Sequence, residues 1–393
     1  MLNKNIDQIT EKDLQELISN SVSERKTLEY KKILPGNSDK DKKEFLADVS
    51  SFANASGGDI IYGISCDGET GLPQNPLDGL SIDNFDAEIL RLENSIRDGI
   101  QPRIIGIISK SIQLTNSRNV LLVRIPKSWN SPHRVIFQGN DKFYSRSTNG
   151  KYPFDVDELR SAFTSNTTLL EKIIQFRKNR VFSIDSDDTP IKLDVGSKLI
   201  LHIIPFTSLP KTSSVDIGIV ADNMSKLPPM GTSGWDGRYN LDGFISFRSR
   251  SKGSCYSYTQ LYRNGIIESA CTINEPTKIN NPSLAVTYIE RILIQSLESY
   301  FKLTKELGVE LPVYVFVTLL GVKNYIITSQ NLPSFDIMPI DRENLLLNGE
   351  LLESYDNEAY KILRPIFDSI WNACGYSHSY NYNSNGIWSG THY

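Results

Sequence analysis

The sequence predicts an α+β protein made of two separate domains. Three observations predict it. Within the first 165 residues a few helical patterns stand among a mostly antiparallel set of strand-like runs. A polar, acidic stretch from Ser183 to Thr189 then reads as a linker. Beyond it lies a second series of strand-like runs with one long amphipathic helix. The expected boundaries are 1–165 for the first domain, 166–189 for a connecting helix and linker, and 190–393 for an α+β second domain.

Thr10-Glu11-Lys12-Asp13 has the form of a capping box and opens a helix through about Ser21, with Leu14, Leu17 and Ile18 inward. Thr27 to Leu34 alternates as a strand, Leu28 and Tyr30 on one side, Glu29 and Lys31 on the other. From Lys42 to Ala53 the apolar residues Phe45, Leu46, Val49, Phe52 and Ala53 share one helical face. Gly57-Gly58 stops that helix, and Ile60 to Ile64 is an apolar run suited to a strand buried on both faces. Gly68, Gly71, Pro73, Pro76 and Gly79 mark a surface loop, and Ile82 to Ile96 reads as a second helix. Strand-like runs follow at Ile104–Ile108, Ile112–Thr115, Val120–Ile125, Val135–Phe137 and Lys142–Arg146, with a closing helix over Asp155–Phe163.

In the second half, Leu169 to Asn179 reads as the connecting helix. Lys198–Pro205, Val215–Val220, Phe244–Arg248 and Ser257–Tyr262 read as strands, and Leu227–Gly237 as a Pro/Gly-rich loop. A long helix from Pro282 to Leu307 carries Ile289, Ile292, Leu293, Leu297, Tyr300 and Phe301 as its apolar stripe. Pro312 to Leu320 is a buried strand, and the tail from Tyr376 is rich in Asn, Ser and Tyr with Trp388 as its large anchor.

A net charge of −4 gives no whole-molecule field that would draw nucleic acid, so any binding must rest on a local basic face. The four cysteines are scattered without a C-x-x-C pair, which argues against a structural zinc site. The first residues are polar and acidic and no apolar run reaches membrane-spanning length, so a cytoplasmic chain with reduced thiols and no membrane partner is expected. No G-x-x-x-x-G-K-[ST] occurs, nor a G-x-G-x-x-G after a strand, so a nucleotide loop finds no support.

The candidates for chemistry are Glu24, Glu29, Asp67 and Lys31, at the outer ends of the strand–helix–Gly-Gly–strand unit. The string Glu24 to Lys31, the segment Phe52-Ala53-Asn54-x-x-Gly57-Gly58 and the strand ending in Asp67-Gly68 together resemble the AlbA-like domain of the Schlafen family. The resemblance covers roughly the first 165 residues. It implies a metal-dependent endoribonuclease acting on tRNA or other structured RNA, in an antiviral setting, with Glu24, Glu29 and Asp67 as the carboxylate trio. Mg²⁺ or Mn²⁺ would be the ion, because oxygen ligands suit both and the ion activates water and neutralises phosphate charge. Lys31 would steady the charged phosphate. Relatives that pair two lobes into a cleft imply a homodimer here.

The structural reading of the same residues is a solvated strand face, a helix-end charge and a turn. Glu24 and Glu29 are an odd number apart, so they share a site only if the chain bends at Ser23 to Lys26. For holding nucleic acid, RNA ahead of DNA, the candidates are Arg103, His133, Arg134, Lys142, Tyr144, Arg146 and Lys151, cations for phosphate and a ring for stacking. The alternative function is a DNA- or RNA-binding regulator that does not cut. His202, inside an apolar strand, reads as a core histidine, and Glu268 as a polar residue after a strand.

Overall fold

The computed structural model describes residues 4, 6–209, 214–249, 253–274, 282–328 and 338–390. The chain divides into two compact units, Met1–Thr168 and Leu169–Tyr393. In the first, α1 (Glu11–Ser19) starts at the expected capping box, Thr10 and Asp13 satisfying each other's backbone N–H. It is followed by β1 (Leu28–Lys31), α2 (Asp39–Asn54), β2 (Gly58–Tyr62), α3 (Phe85–Gly99), β3 (Ile100–Gln101), β4 (Ile108–Gln113), β5 (Asn119–Ile125), β6 (Arg134–Phe137), β7 (Asn140–Ser147) and β8 (Gly150–Pro153). A mixed sheet runs β1-β2-β5-β4, with β1 and β2 parallel and the other pairs antiparallel. A second, antiparallel sheet runs β3-β6-β7-β8.

The mixed sheet is buried on both faces, which is why Ile60 to Ile64 reads as an apolar run; Asp59 at the start of β2 is buried on Arg124. Leu28, Tyr30, Ile61, Val120 and Leu122 pack towards α1, whereas Ile60, Tyr62, Leu121 and Val123 pack with Phe45, Val49 and Phe52 of α2. Ser38 caps α2 by accepting from the Asp41 N–H, and Asp39 and Asp41 favour the positive end of the helix. The turn after α2 needs glycine. Gly57 has φ +66°, and a Cβ there would sit 2.5 Å from the Lys127 backbone nitrogen.

Two expected helices are one. The segments 155–163 and 169–179 and part of the expected linker form α4 (Val156–Asp185), 30 residues long. Nothing in the segment breaks a helix, and the hydroxyls of Thr164 and Thr168 bond back to the carbonyls of Arg160 and Thr164. Ile104 to Ile107 is loop, not strand; Gly106 at φ +79° turns the chain there, and pairing begins at Ile108.

The second unit contains β9 (Ser197–Pro205), α5 (Gly218–Asp222), β10 (Asp236–Tyr239), β11 (Gly243–Ser249), β12 (Cys255–Tyr262), β13 (Ile267–Asn274), β14 (Ser283–Ala285), α6 (Val286–Glu306), β15 (Val313–Leu320), β16 (Ile326–Thr328), β17 (Leu345–Leu346), β18 (Glu350–Leu352) and α7 (Ala359–Asn372). Among the described residues one antiparallel sheet runs β10-β11-β12-β13-β9-β15-β17, with β18 also on β15. The expected strand 215–220 is instead a loop and α5, begun by the Asp216 carboxylate accepting from the Gly218 N–H. One sheet face packs on α6 and α7 (Leu201, Leu261, Val315, Leu293, Leu297, Phe367); the other buries Val181 and Ile184 of α4. There Glu268 is wholly buried and holds Arg180 through both oxygens at 2.8 and 2.9 Å. His202 Nε2 and the Tyr258 hydroxyl complete its shell. Burial alone would raise the Glu268 pKa, but its bonds to His202 and Arg180 hold it down to about 2.

On the α6 side, buried Glu290 accepts from Trp371 Nε1 and the Ser379 hydroxyl on one oxygen, and from Asn381 Nδ2 and Trp388 Nε1 on the other. The tail is thus fixed by a carboxylate as well as by its aromatic anchor. Among the described residues no helix is long and apolar enough to cross a membrane.

Candidate nucleic-acid interface

The polar site of the first unit is assembled where α2 lies across β1, β7 and β8. Glu29 and Lys31 project from β1 on the α2 side, because the alternate residues Leu28 and Tyr30 are taken into the core on the α1 side. The Lys31 ammonium sits 2.7 Å from Glu29 Oε1 and 3.6 Å from Asp48 Oδ2. Arg146 of β7 donates to Glu29 Oε2 at 2.8 Å and stacks over the Phe52 ring, 3.6 Å from its centre. Lys151 of β8 donates to Asp48 Oδ1 at 2.6 Å and to Glu44 Oε1 at 3.0 Å. Charges of opposite sign therefore alternate along one chain of ion pairs, from Arg146 to Glu44.

The pairing sets the titration of each member. Burial opposes charge on Glu29, yet Lys31 and Arg146 hold its carboxyl below the usual range. Burial and the adjacent Glu29 charge push Asp48 up to about 6, against the pull of Lys151 and Lys31. Lys31 is raised: burial lowers it, but Asp48 and Glu29 outweigh that.

The three expected metal carboxylates are engaged separately. The chain bends at a tight Arg25–Leu28 turn, near the expected place. The bend carries Glu24 to the open edge of β1, where its Oε1 accepts from the Tyr30 N–H at 2.8 Å. Cys66 Sγ lies 3.8 Å from the same oxygen. Asp67 spends Oδ1 on its own turn, accepting from the Glu69 and Thr70 N–H groups and the Thr70 hydroxyl, and the Thr70 N–H is the main reason its pKa is lowered. Among the described residues no group of three or more His, Cys, Asp or Glu is placed to hold a metal ion. Glu29 has a cation on each oxygen, and those two positive charges oppose a divalent ion beside it. The residues as arranged do not fit Mg²⁺ or Mn²⁺.

The expected binding residues also separate. Lys142, Tyr144 and Lys151 line a groove of about 630 Å³ with Lys40, Lys43, Glu44 and Ala47 of α2 and Gly139. Lys40, Lys43, Glu44 and Ala47 recur at helical spacing, and Lys142 and Tyr144 at strand spacing, so both walls present these side chains to the groove. Lys40, Lys43 and Lys142 have no carboxylate partner among the described residues. Arg146 alternates onto the same face as Tyr144 but is buried against Glu29 and the Phe52 ring. Arg103 is exposed in the loop before β4, and Arg134 pairs with Asp141.

His133 is not a surface residue. It is fully buried, its Nδ1 is 2.7 Å from the Pro102 carbonyl, and burial pushes its pKa down to about 4. A general base is therefore not what the fold makes of it. Asn54 likewise serves the backbone: its amide bonds the carbonyls of His133 and Tyr144 while its oxygen accepts from the His133 N–H, tying the end of α2 to β6 and β7. Sequence reasoning missed Lys40, Lys43 and Asp48. The signals were present: a lysine run in the first turns of α2, and one acid within its apolar stripe.

Residues 24–155, which contain this entire site, match the family profile described as Schlafen, AlbA_2. This part of the chain is a Schlafen AlbA_2 domain. No curated protein matches the chain. Solved structures similar to it include the DIP2311 protein of Corynebacterium diphtheriae, at 17% identity and TM-score 0.25 over 36% of this chain and 26% of that one. The chain thus spans about a quarter of that protein. Another is the N-terminal domain of a RecG-related protein from Nitrosomonas europaea, at 18% identity and TM-score 0.25 over 36% of this chain and 86% of that one. The AlbA_2 match ends before the second unit begins.

Proposed function

We propose that the AlbA_2 domain binds nucleic acid through the groove between α2 and β7, with Lys40, Lys43 and Lys142 on phosphates and Tyr144 stacking on an exposed base. The observation that carries this reading is the groove itself: Lys40, Lys43 and Lys142, with no carboxylate partner among the described residues, and a tyrosine, in a chain whose net charge is negative. Phosphate contacts of this kind set register without reading sequence, and an aromatic ring suits single-stranded or splayed bases, which favours RNA. The buried Arg146–Glu29–Lys31–Asp48–Lys151 chain then acts as the floor that holds the lysine-bearing strands against α2.

The test is anisotropy with labelled folded RNA and duplex DNA across a salt series, for the parent and for Lys40→Ala/Lys43→Ala/Lys142→Ala. The triple variant should bind at least tenfold more weakly, with a salt slope reduced by about one for each phosphate no longer neutralised. Unchanged affinity and slope would place the interface elsewhere. The same samples, incubated with Mg²⁺, Mn²⁺ or EDTA beside Glu29→Ala and Asp67→Ala, separate a reader from an endoribonuclease. The ion-paired state of Glu29 favours the reader; metal-dependent cutting lost in both variants would establish the nuclease, with the carboxylates regrouped on binding.

A further inference from the structure

The second unit holds its own cavity of about 450 Å³ between the Pro/Gly-rich loop and α6. The loop is pinned from several sides. Ser246 donates to the Leu227 carbonyl, Tyr300 to Pro228 at 2.7 Å, Trp235 Nε1 to Met224 at 3.0 Å and Arg248 to Gly234 at 3.0 Å. Gly231 turns at φ +69° directly above the Tyr288 hydroxyl, where a Cβ would lie 3.0 Å away. The wall is therefore set before any ligand arrives, which lowers the ordering cost of binding.

Opposite it, Tyr288, Arg291, Gln295 and Ser299 recur at helical spacing along one face of α6. Pro228, Pro229, Trp235 and Ile292 supply apolar surface to the lining, and Thr232 and Ser233 supply hydroxyls. Arg291 is the sole charged residue in the lining among the described residues, its guanidinium carbon 5.4 Å from the centre of the Tyr288 ring. The cavity's volume lies within the about 300–1,000 Å³ of small-molecule sites, and its mixed lining, more polar than apolar, suits a ligand that carries both a charged group and a ring. A guanidinium with no acidic residue in the lining asks for an anion, and its fork suits phosphate; the Gln295 amide and the Ser233 hydroxyl are the further donors in the lining, since the Thr232 and Ser299 hydroxyls already donate to the Pro229 and Gln295 carbonyls.

We propose that this cavity binds a nucleoside monophosphate, with the phosphate on Arg291 and the ring against the Pro228–Pro229 and Trp235 wall. The assignment does not depend on the groove of the first unit. Calorimetric titration of the full chain with the four ribonucleoside monophosphates, inorganic phosphate and benzoate tests it. At least one monophosphate should bind ten times more tightly than inorganic phosphate or benzoate. Arg291→Gln should weaken that binding tenfold or more, Ser299→Phe should block it by filling the cavity from the helix side, and Lys40→Ala/Lys43→Ala/Lys142→Ala should leave it unchanged. Circular dichroism and midpoint of unfolding confirm that each variant is folded. No monophosphate outbinding inorganic phosphate, equal binding by benzoate, or full affinity in folded Arg291→Gln would each overturn the proposal, and loss in the lysine variant would move the binding to the first unit.

Discussion

Glu29→Gln distinguishes a structural carboxylate from a poised catalytic one. In the structure each Glu29 oxygen meets a cation, and the more buried of the two is Arg146, whose side chain is only 4% exposed. Neutralising Glu29 leaves that guanidinium without its counterion, with only a neutral amide oxygen and the Phe52 ring beside it. Removing one partner from a buried pair costs about 3–5 kcal/mol. The Glu29 side chain keeps 12% of its exposure, so the low end, about 3 kcal/mol, is expected. That raises the unfolded fraction of the first unit about a hundredfold, since 1.4 kcal/mol is a factor of ten. Hydrogen exchange by mass spectrometry along a urea series reads it from peptides of α2 and β1, independently of the second unit. Protection there should collapse at lower urea than in the parent. Equal or greater protection in the variant would refute the reasoning, because a carboxylate strained for catalysis stabilises the fold when its charge is removed.

Three further outcomes follow from the same contacts. Asp48 has a folded pKa of about 6 against an ordinary 3.8, so the fold favours its protonated form and that contribution is lost as pH rises through 6. The parent should therefore lose about 2 kcal/mol relative to Asp48→Asn between pH 4 and 7, at 1.36 kcal/mol per unit; parallel urea-midpoint curves would contradict this. Gly57→Ala forces a side chain into the left-handed region and against the Lys127 backbone, and should cost more than about 1 kcal/mol in thermal unfolding of the first unit. Glu290→Gln turns an amide donor towards two of the four donors that now converge on the carboxylate. About 2–3 kcal/mol of stability should go with it, and limited proteolysis should clip the tail near Trp388 sooner.

Much of the first unit was legible because its signals are local. The capping box of α1, the apolar face of α2, the Gly57 turn and the buried β2 each follow from residues a few positions apart. The site was less legible because it is non-local. Glu29 and Arg146 meet across a sequence separation of 117, and Lys151 reaches Asp48 across 103. The alternation of β1 placed Glu29 and Lys31 on one face, but no spacing rule could show that the same face receives Arg146. His133 misled because Pro132 before it suggested surface, whereas Asn54 of α2 holds its backbone and its ring meets the Pro102 carbonyl. In the second unit Glu268 looked incidental; its partners Arg180 and His202 come from another helix and another strand. Arginines on an apolar helix face and a histidine in an apolar strand were the available hints.

The anchoring of the tail has a consequence for the order in which the chain matures. Glu290 is translated near the start of α6, yet its donors lie 81 to 98 residues downstream. At about 5–20 residues per second, synthesis of that interval takes on the order of ten seconds. Until α7 has been made the α6 stripe lacks that cover, and until the tail follows a carboxylate destined for the interior must stay hydrated. The nascent second unit is held open by its own unfinished electrostatics while the first already has every partner it needs. Chaperone occupancy on ribosome-bound chains should accordingly concentrate on α6 and fall away once Trp388 emerges.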